Sequence, residues 1–257
     1  MPAIITLTTD FGVLDYYVAA VKGKILQQVN PVAFVDISHQ IPNGDIAQAA
    51  YTLRFVYPDF PPGTIHIAAV GTHTNTDSHL LVLSEGQYFL MPDNGIVGLL
   101  FAALPSEIYR LHLTESYNAS FPSKTLYTEV AAKIIAGATA DSVGEKTEEY
   151  LTKRYATVQT DEETIRGHIV HVDAYGNLIS NISEGLIKEW AKDTKFEIQF
   201  GHEKIYRIAK NFTGCDFGDC IVLYNHAQQL MIGIRQGNAA QLLGMRYDSS
   251  VIVKKVK

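Results

Sequence analysis

Cysteine is nearly missing from this chain: only Cys215 and Cys220 occur in 257 residues. A disulfide framework is thereby excluded, and a C-x4-C spacing with no second pair favours two reduced thiols over a zinc site. Positive charge is also short. The 21 Lys and Arg face 27 Asp and Glu, a formal net charge of −6, so the basic excess that neutralises nucleic-acid phosphates or anionic lipid heads is lacking. A small-molecule partner is expected instead, with no nucleic acid and no membrane. No apolar run approaches the ~18 residues of a membrane span. The opening segment MPAIITLTTDFG has no basic lead, and threonines and Asp10 break its apolar run. It reads as a buried strand, not a secretory signal, and a cytoplasmic protein is expected. Neither GxGxxG after the first strand nor GxxxxGK[ST] is found, and the G-x-S-x-G nucleophile elbow is absent too.

What is present is ordinary globular material, 47% hydrophobic and 19% charged, enough for one large domain or two small ones. The β-rich run 3–9 (AIITLTT) ends at Asp10-Phe11-Gly12. Asp15 is then placed to cap a helix in which Val18, Val21 and Ile25 recur at helical spacing. A second β run at 32–38 (VAFVDIS) precedes a helix started by Asp45, with Ile46, Ala50 and Leu53 on its apolar face. A third run follows at 64–70, and the runs 80–84 and 87–92 flank a Glu85-Gly86 turn as in a hairpin. This alternation predicts an α/β fold with a doubly wound, mostly parallel sheet, whose ligands lie at the carboxyl ends of the strands. The charge-rich stretch 141–166 interrupts the pattern. After it come short β-like runs with one short helix at 184–191, as in a small antiparallel β-barrel. The expected division is an N-terminal domain at 1–150, a linker at 151–166 and a C-terminal domain at 167–257.

Several residues carry candidate chemistry. A carboxylate at Asp10, just past a buried strand, suits the vicinal hydroxyls of a ribose; the alternative is a loop cap. Asp36 and His39 in VDISH read as a hydrogen-bonded strand end, because no second His/Asp cluster offers metal-ligand spacing. Metal is therefore not expected. Pro92-Asp93-Asn94-Gly95 is a turn sequence. Asp173-Ala174-Tyr175-Gly176-Asn177 and Gly237-Asn238-Ala239-Ala240 are turns whose small residues let backbone approach a ligand.

Taken in order, TLTTDFGVLDYYVAAVKGKI (6–25), VDISHQI (35–41), FPPGTIHIAAV (60–70), YFLMPDNGI (88–96), VDAYGNLISNI (172–182) and IRQGNAAQLLG (234–244) resemble the S-adenosyl-L-methionine (SAM) hydroxide adenosyltransferases and their relatives, the fluorinase and chlorinase. The resemblance covers nearly the whole chain. It implies an N-terminal α/β domain, a C-terminal β-barrel, and a homotrimer that binds SAM between one subunit's N-terminal domain and its neighbour's C-terminal domain. It implies further that Asp10 holds the ribose diol with Asp15 in the same loop, and that Asp173 and Asn177 bind the amino-acid end of SAM. Phe212 would stack on adenine, Asn238 and Ala239 would meet its edge, and Phe121 and Ser123 would wall the reaction pocket.

The chain departs from the family where water is activated. Hydroxide-using members carry an Asp, an Arg and a His; at those places this sequence has Gly71, Ser78 and Pro122. His73, Asp77 and His79 are candidate substitutes, and Ser123 and Thr74 match hydroxyl positions of the halide-using relatives. Ser123 and His73 are thus the expected catalytic residues. The expected reaction is hydrolysis of SAM to adenosine and L-methionine without a cofactor, slow where the trio is lost. The alternatives are a SAM- or adenosine-binding protein without turnover, and a halide-using adenosyltransferase.

Overall fold

The computed structural model describes residues 2–72, 78–192 and 194–256. The chain divides into two compact units, Met1–Arg154 and Tyr155–Lys257. Among the described residues no helix is long and apolar enough to cross a membrane.

In the first unit β1 (Ala3–Thr9), α1 (Tyr17–Leu26), β2 (Val32–Ser38), α2 (Ile46–Arg54) and β3 (Ile65–Ala69) follow the predicted alternation. β4 (His79–Ser84) and β5 (Gln87–Pro92) form the predicted hairpin about Glu85-Gly86. Then come α3 (Ile96–Leu100), β6 (Glu107–Leu111), α4 (Thr128–Ile135), α5 (Ala140–Val143) and β7 (Gly144–Lys146). The strand order is β2-β1-β3-β5-β4-β6-β7. Pairing is parallel from β2 through β5 and antiparallel across β4, β6 and β7. The parallel-rich, helix-flanked sheet is the expected α/β class.

Strand alternation sorts the two faces. Ile5 and Leu7 join Val21 and Ile25 of α1 and Val130 and Ile134 of α4 in one core. Their neighbour Thr6 instead meets His66, and both are fully buried. α2 opens as predicted, with the Asp45 carboxylate accepting from Gln48 N. α1 does not. It starts at Tyr17 behind Tyr16, already in helical backbone and without a side-chain cap, and Asp15 sits exposed in the preceding loop. An N-cap side chain acts from extended backbone, which this entry lacks.

The segment expected as a linker carries structure. Residues 151–154 belong to the first unit, where Leu151 N donates to Asp93 Oδ1 (2.7 Å) and Thr152 bridges Gly95. Residues from Tyr155 onward belong to the second unit, where β8 (Gln159–Thr160) pairs with β9 (Thr164–Val172).

The second unit continues with β10 (Leu178–Ser183), α6 (Glu184–Ala191), β11 (Phe196–Phe200), β12 (Glu203–Ile205), β13 (Cys220–Tyr224), β14 (Gln229–Ile234), α7 (Ala239–Leu243) and β15 (Ser250–Lys255). The predicted helix at 184–191 is α6. The strands pair in the order β12-β11-β15-β9-β10-β14-β13, every pairing antiparallel. Past β12 the chain returns so that Ala209 N bonds Val222 O of β13 (2.7 Å), which nearly closes the sheet into a barrel. Ile165, Ile169, Leu178, Ile198, Val222, Ile232 and Val253 fill its interior.

Candidate active site

β1 has β2 on one side and β3 on the other, so the chain reverses its direction of winding between β1 and β3. Loops that follow such neighbouring strands diverge to opposite faces and leave a crevice at the carboxyl edge. Asp10 stands there. Its Oδ2 accepts Gly44 N (2.9 Å) from the loop after β2 and Gly71 N (3.0 Å) from the loop after β3. One carboxylate oxygen thus ties three loops together, while Oδ1 has no partner among the described residues. The two roles proposed for Asp10 in the sequence are both available, one to each oxygen.

The crevice is a cleft of about 470 Å³ lined by Asp10, Phe11, Tyr17, Asn43, Gly44, Gly71, Thr72, Ser120 and Phe121. His39 fastens its floor. Gly12 N donates to His39 O (2.7 Å), and the ring Nδ1 meets Thr9 Oγ1 (2.9 Å). His39 Nε2 lies 3.1 Å from Asp36 Oδ1, close enough for an ion pair but off-axis for a hydrogen bond. Burial raises the Asp36 carboxyl, but the hydrogen bond from Lys22 (2.6 Å) and the adjacent His39 ring outweigh it and hold the group below the usual carboxylate range. The VDISH segment is a bonded strand end, as read from sequence. The Asn94 amide donates to Val70 O (3.0 Å), so the PDNG turn braces the end of β3 next to Gly71.

The other expected residues of this unit fall elsewhere. Phe121 lines the cleft, but Asp15 does not. Ser123, expected to be catalytic, is buried at the start of a π-helical turn, Ser123–Tyr127, with its Oγ unpartnered. It lines a second, smaller pocket with Thr9, Phe11 and His39, and Phe11 borders both that pocket and the cleft. The turn of helix that carries Phe121 to the cleft rotates Ser123 inward. His79 is buried, with Nδ1 on Tyr127 Oη (2.8 Å) and Nε2 on Tyr117 Oη (3.2 Å). It is a core histidine held by two phenols, not a base facing the cleft. Ser78 bonds Asp93 Oδ2 (3.1 Å). His73, Thr74 and Asp77 lie outside the described residues.

In the second unit, residues far apart in sequence converge. Asp173 Oδ1 accepts Tyr175 N (2.9 Å) and Asn177 N (2.8 Å), and Oδ2 accepts Asn177 Nδ2 (2.9 Å). Ala240 N donates to Gly176 O (2.9 Å), and Asn238 Oδ1 caps α7 through Gln241 N (2.9 Å). Ala239 is fully buried beside it. A Cβ on Gly233 of β14 would lie 2.7 Å from the Phe212 ring and 2.8 Å from Asn177 Oδ1, so both side chains lie across that glycine. The five predicted positions Asp173, Asn177, Phe212, Asn238 and Ala239 therefore form one neighbourhood. Gly233 is the residue sequence reasoning missed, although a lone glycine inside a strand signals close approach.

Gly176 tests that neighbourhood. Its φ is +82°, and an added Cβ would lie 2.2 Å from the Asn238 side chain. Gly176→Ala is expected to cost on the order of 2 kcal/mol or more in urea unfolding. Gly185→Ala, in α6 with open space around it, should stay near wild type. Equal stability of the two variants would contradict the packing described.

Comparison with known proteins assigns the chain. Residues 5–144 match the model of the SAM hydroxide adenosyltransferase N-terminal domain, and residues 167–252 match that of its C-terminal domain. The chain belongs to this family. The (R)-S-adenosyl-L-methionine hydrolase of Methanocaldococcus jannaschii is 32% identical over 257 residues, covering 95% of this chain and 93% of the relative. The enzyme of the same name from Salinispora tropica is 26% identical, covering 94% of each chain. An uncharacterized conserved protein from Thermotoga maritima shares the fold with a TM-score of 0.87 at 24% identity, over 97% of this chain and 99% of that one. In this adenosyltransferase-family chain Gly71 lines the cleft with no side chain to offer, and Pro122 is buried with none that titrates.

Proposed function

We propose that this protein hydrolyses S-adenosyl-L-methionine to adenosine and L-methionine, with the (R)-sulfonium epimer named for its relatives as the substrate. The observation that carries the reading is Asp10, which lines the cleft with one oxygen locked by two backbone amides and the other without a partner among the described residues. A carboxylate held this way accepts hydrogen bonds from both ribose hydroxyls without reorganising. Water attacks C5′ from the side opposite sulfur, the C5′–S bond pair passes to sulfur, methionine leaves as a neutral thioether, and one proton is released. The sulfonium is already an activated leaving group, so positioning supplies much of the rate and no cofactor is required. His73 is the proposed proton acceptor. Ser123 is given no proton-transfer role, because it is buried and lines the smaller pocket, not the cleft. Asp173, Asn177, Phe212, Asn238 and Ala239 are the proposed contacts for the amino-acid and adenine ends. The reading includes a homotrimer in which the Asp10 cleft of one subunit meets the Asp173 neighbourhood of another. It also keeps the protein in the cytoplasm, where two free thiols persist.

The test is incubation of purified protein with each SAM epimer, with product identified by mass spectrometry and the particle mass by light scattering. Adenosine from the (R) epimer, released by a trimer of the 28.4 kDa chain, is expected. General acid–base help is worth about 10²–10⁴-fold, so His73→Ala should slow release within that range. Tight SAM binding with no adenosine from either epimer would replace hydrolysis with a binding function, and a monomer with full turnover would overturn the shared site.

A further inference from the structure

Phe11, Tyr17 and Phe121 line the cleft beside Asp10 and touch one another. Their ring centroids lie 5.7 Å apart for Phe11 and Tyr17, 5.9 Å for Phe11 and Phe121, and 5.3 Å for Tyr17 and Phe121. The two contacts to Phe121 are nearly perpendicular, at 83° and 80°, the geometry in which the edge of one ring meets the face of another. Tyr16 stacks on Tyr17 at 4.6 Å and backs it. None of the residues lining the cleft is basic, and one, Asp10, is a carboxylate. The Phe121 ring already carries a cation, Lys124 Nζ at 5.9 Å. No such contact involves Phe11 or Tyr17 among the described residues. A cleft lined by aromatic rings and a carboxylate, with no basic residue among its described lining residues and with Phe11 and Tyr17 not engaged by Lys124, suits a cation with an apolar shell.

We propose that Phe11 and Tyr17 form a sulfonium-reading wall, which distinguishes the charged sulfur of SAM from the neutral sulfur of its thioether analogues. The inference rests on the reading that SAM occupies this cleft. It adds a consequence for rate. As water bonds to C5′ and the C5′–S pair moves to sulfur, the positive charge on sulfur disappears, so the wall attracts the ground state more strongly than the transition state. An interaction of that kind lowers KM without raising kcat.

The experiment measures binding of SAM, S-adenosyl-L-homocysteine and adenosine by calorimetry to wild type, Tyr17→Leu, Tyr17→Phe and Phe11→Leu, with kcat and KM for SAM. Wild type should prefer SAM to S-adenosyl-L-homocysteine. Tyr17→Leu and Phe11→Leu should weaken SAM roughly three- to thirtyfold, raise KM without lowering kcat, and leave S-adenosyl-L-homocysteine and adenosine within about twofold, which also certifies the fold. Tyr17→Phe, which keeps the π-face, should bind SAM as wild type does. Equal losses for SAM and S-adenosyl-L-homocysteine would reduce the wall to packing, and a Tyr17→Phe defect as large as that of Tyr17→Leu would transfer the role to the hydroxyl; either overturns the proposal. Wild-type protein that binds neither SAM nor adenosine would overturn the proposed function itself, a result distinguishable from both.

Discussion

Asp10→Asn should weaken SAM and adenosine binding about ten- to hundredfold while leaving the melting temperature nearly unchanged. Oδ2 of Asp10 already receives Gly44 N and Gly71 N, so the Asn carbonyl must take that place to avoid opposing donors. Its NH2 group then occupies the position of Oδ1. The diol loses a charged acceptor, and a hydrogen bond to a charged group is worth roughly 1.5–3 kcal/mol. Asp10→Ala should bind as poorly and also melt lower. It strips both amides of their acceptor; the Gly44 bond is exposed and the Gly71 bond half-buried, so each loss costs about 0.5–1.5 kcal/mol. Calorimetry and thermal unfolding on both variants separate the two functions of the carboxylate. A dissociation constant unchanged in Asp10→Asn would reject the diol clamp, and an unchanged melting temperature in Asp10→Ala would reject the three-loop tie.

Acid should destabilise the protein through His66. This ring is fully buried, stacked on Phe89 at 4.6 Å, and bonded on both sides, Nδ1 to Thr6 Oγ1 (2.7 Å) and Nε2 to Gln87 Oε1 (2.6 Å). The Gln87 amide in turn donates to Phe60 O (2.7 Å), so its oxygen is the atom facing His66. Nε2 therefore carries the proton and Nδ1 accepts from Thr6. Burial pushes the His66 pKa down to about 4 from 6.5, against a smaller upward pull from Gln87. Between those values the unfolded chain binds a proton that the folded one refuses. The stabilisation is complete above pH 6.5 and is lost as pH falls toward 4, a total of roughly 3 kcal/mol. Carboxylates held low in the fold, such as Asp36, contribute their losses only near and below the ordinary carboxylate range, so the interval from about 5 to 6.5 belongs to histidine. Urea unfolding across that interval should show a steep loss in wild type and a shallow one in His66→Gln, which is weaker at neutral pH but cannot titrate. Parallel slopes would exclude His66 as the source.

The sequence alone determined features that depend on near neighbours. The alternation of β1, α1, β2, α2 and β3, the hairpin about Glu85-Gly86, the Asp45 cap and α6 at 184–191 were all legible, because periodicity, capping and turn chemistry act over a few residues. Asp10 was legible as an acid past a buried strand, and the ordered motifs were enough to place the family. The family motifs also named Asp173, Asn177, Phe212, Asn238 and Ala239. Their convergence around Gly176 and Gly233 was a tertiary finding, because loop closure over tens of residues leaves no local signature. Tertiary structure alone decided which oxygen of Asp10 was free, since Gly44 and Gly71 reach it from loops 34 and 61 residues away. It also separated Phe121 from Ser123. Two positions apart where the chain enters that π-helical turn, they line different pockets, and only the placement of the turn against α1 and β3 determines which one meets the cleft.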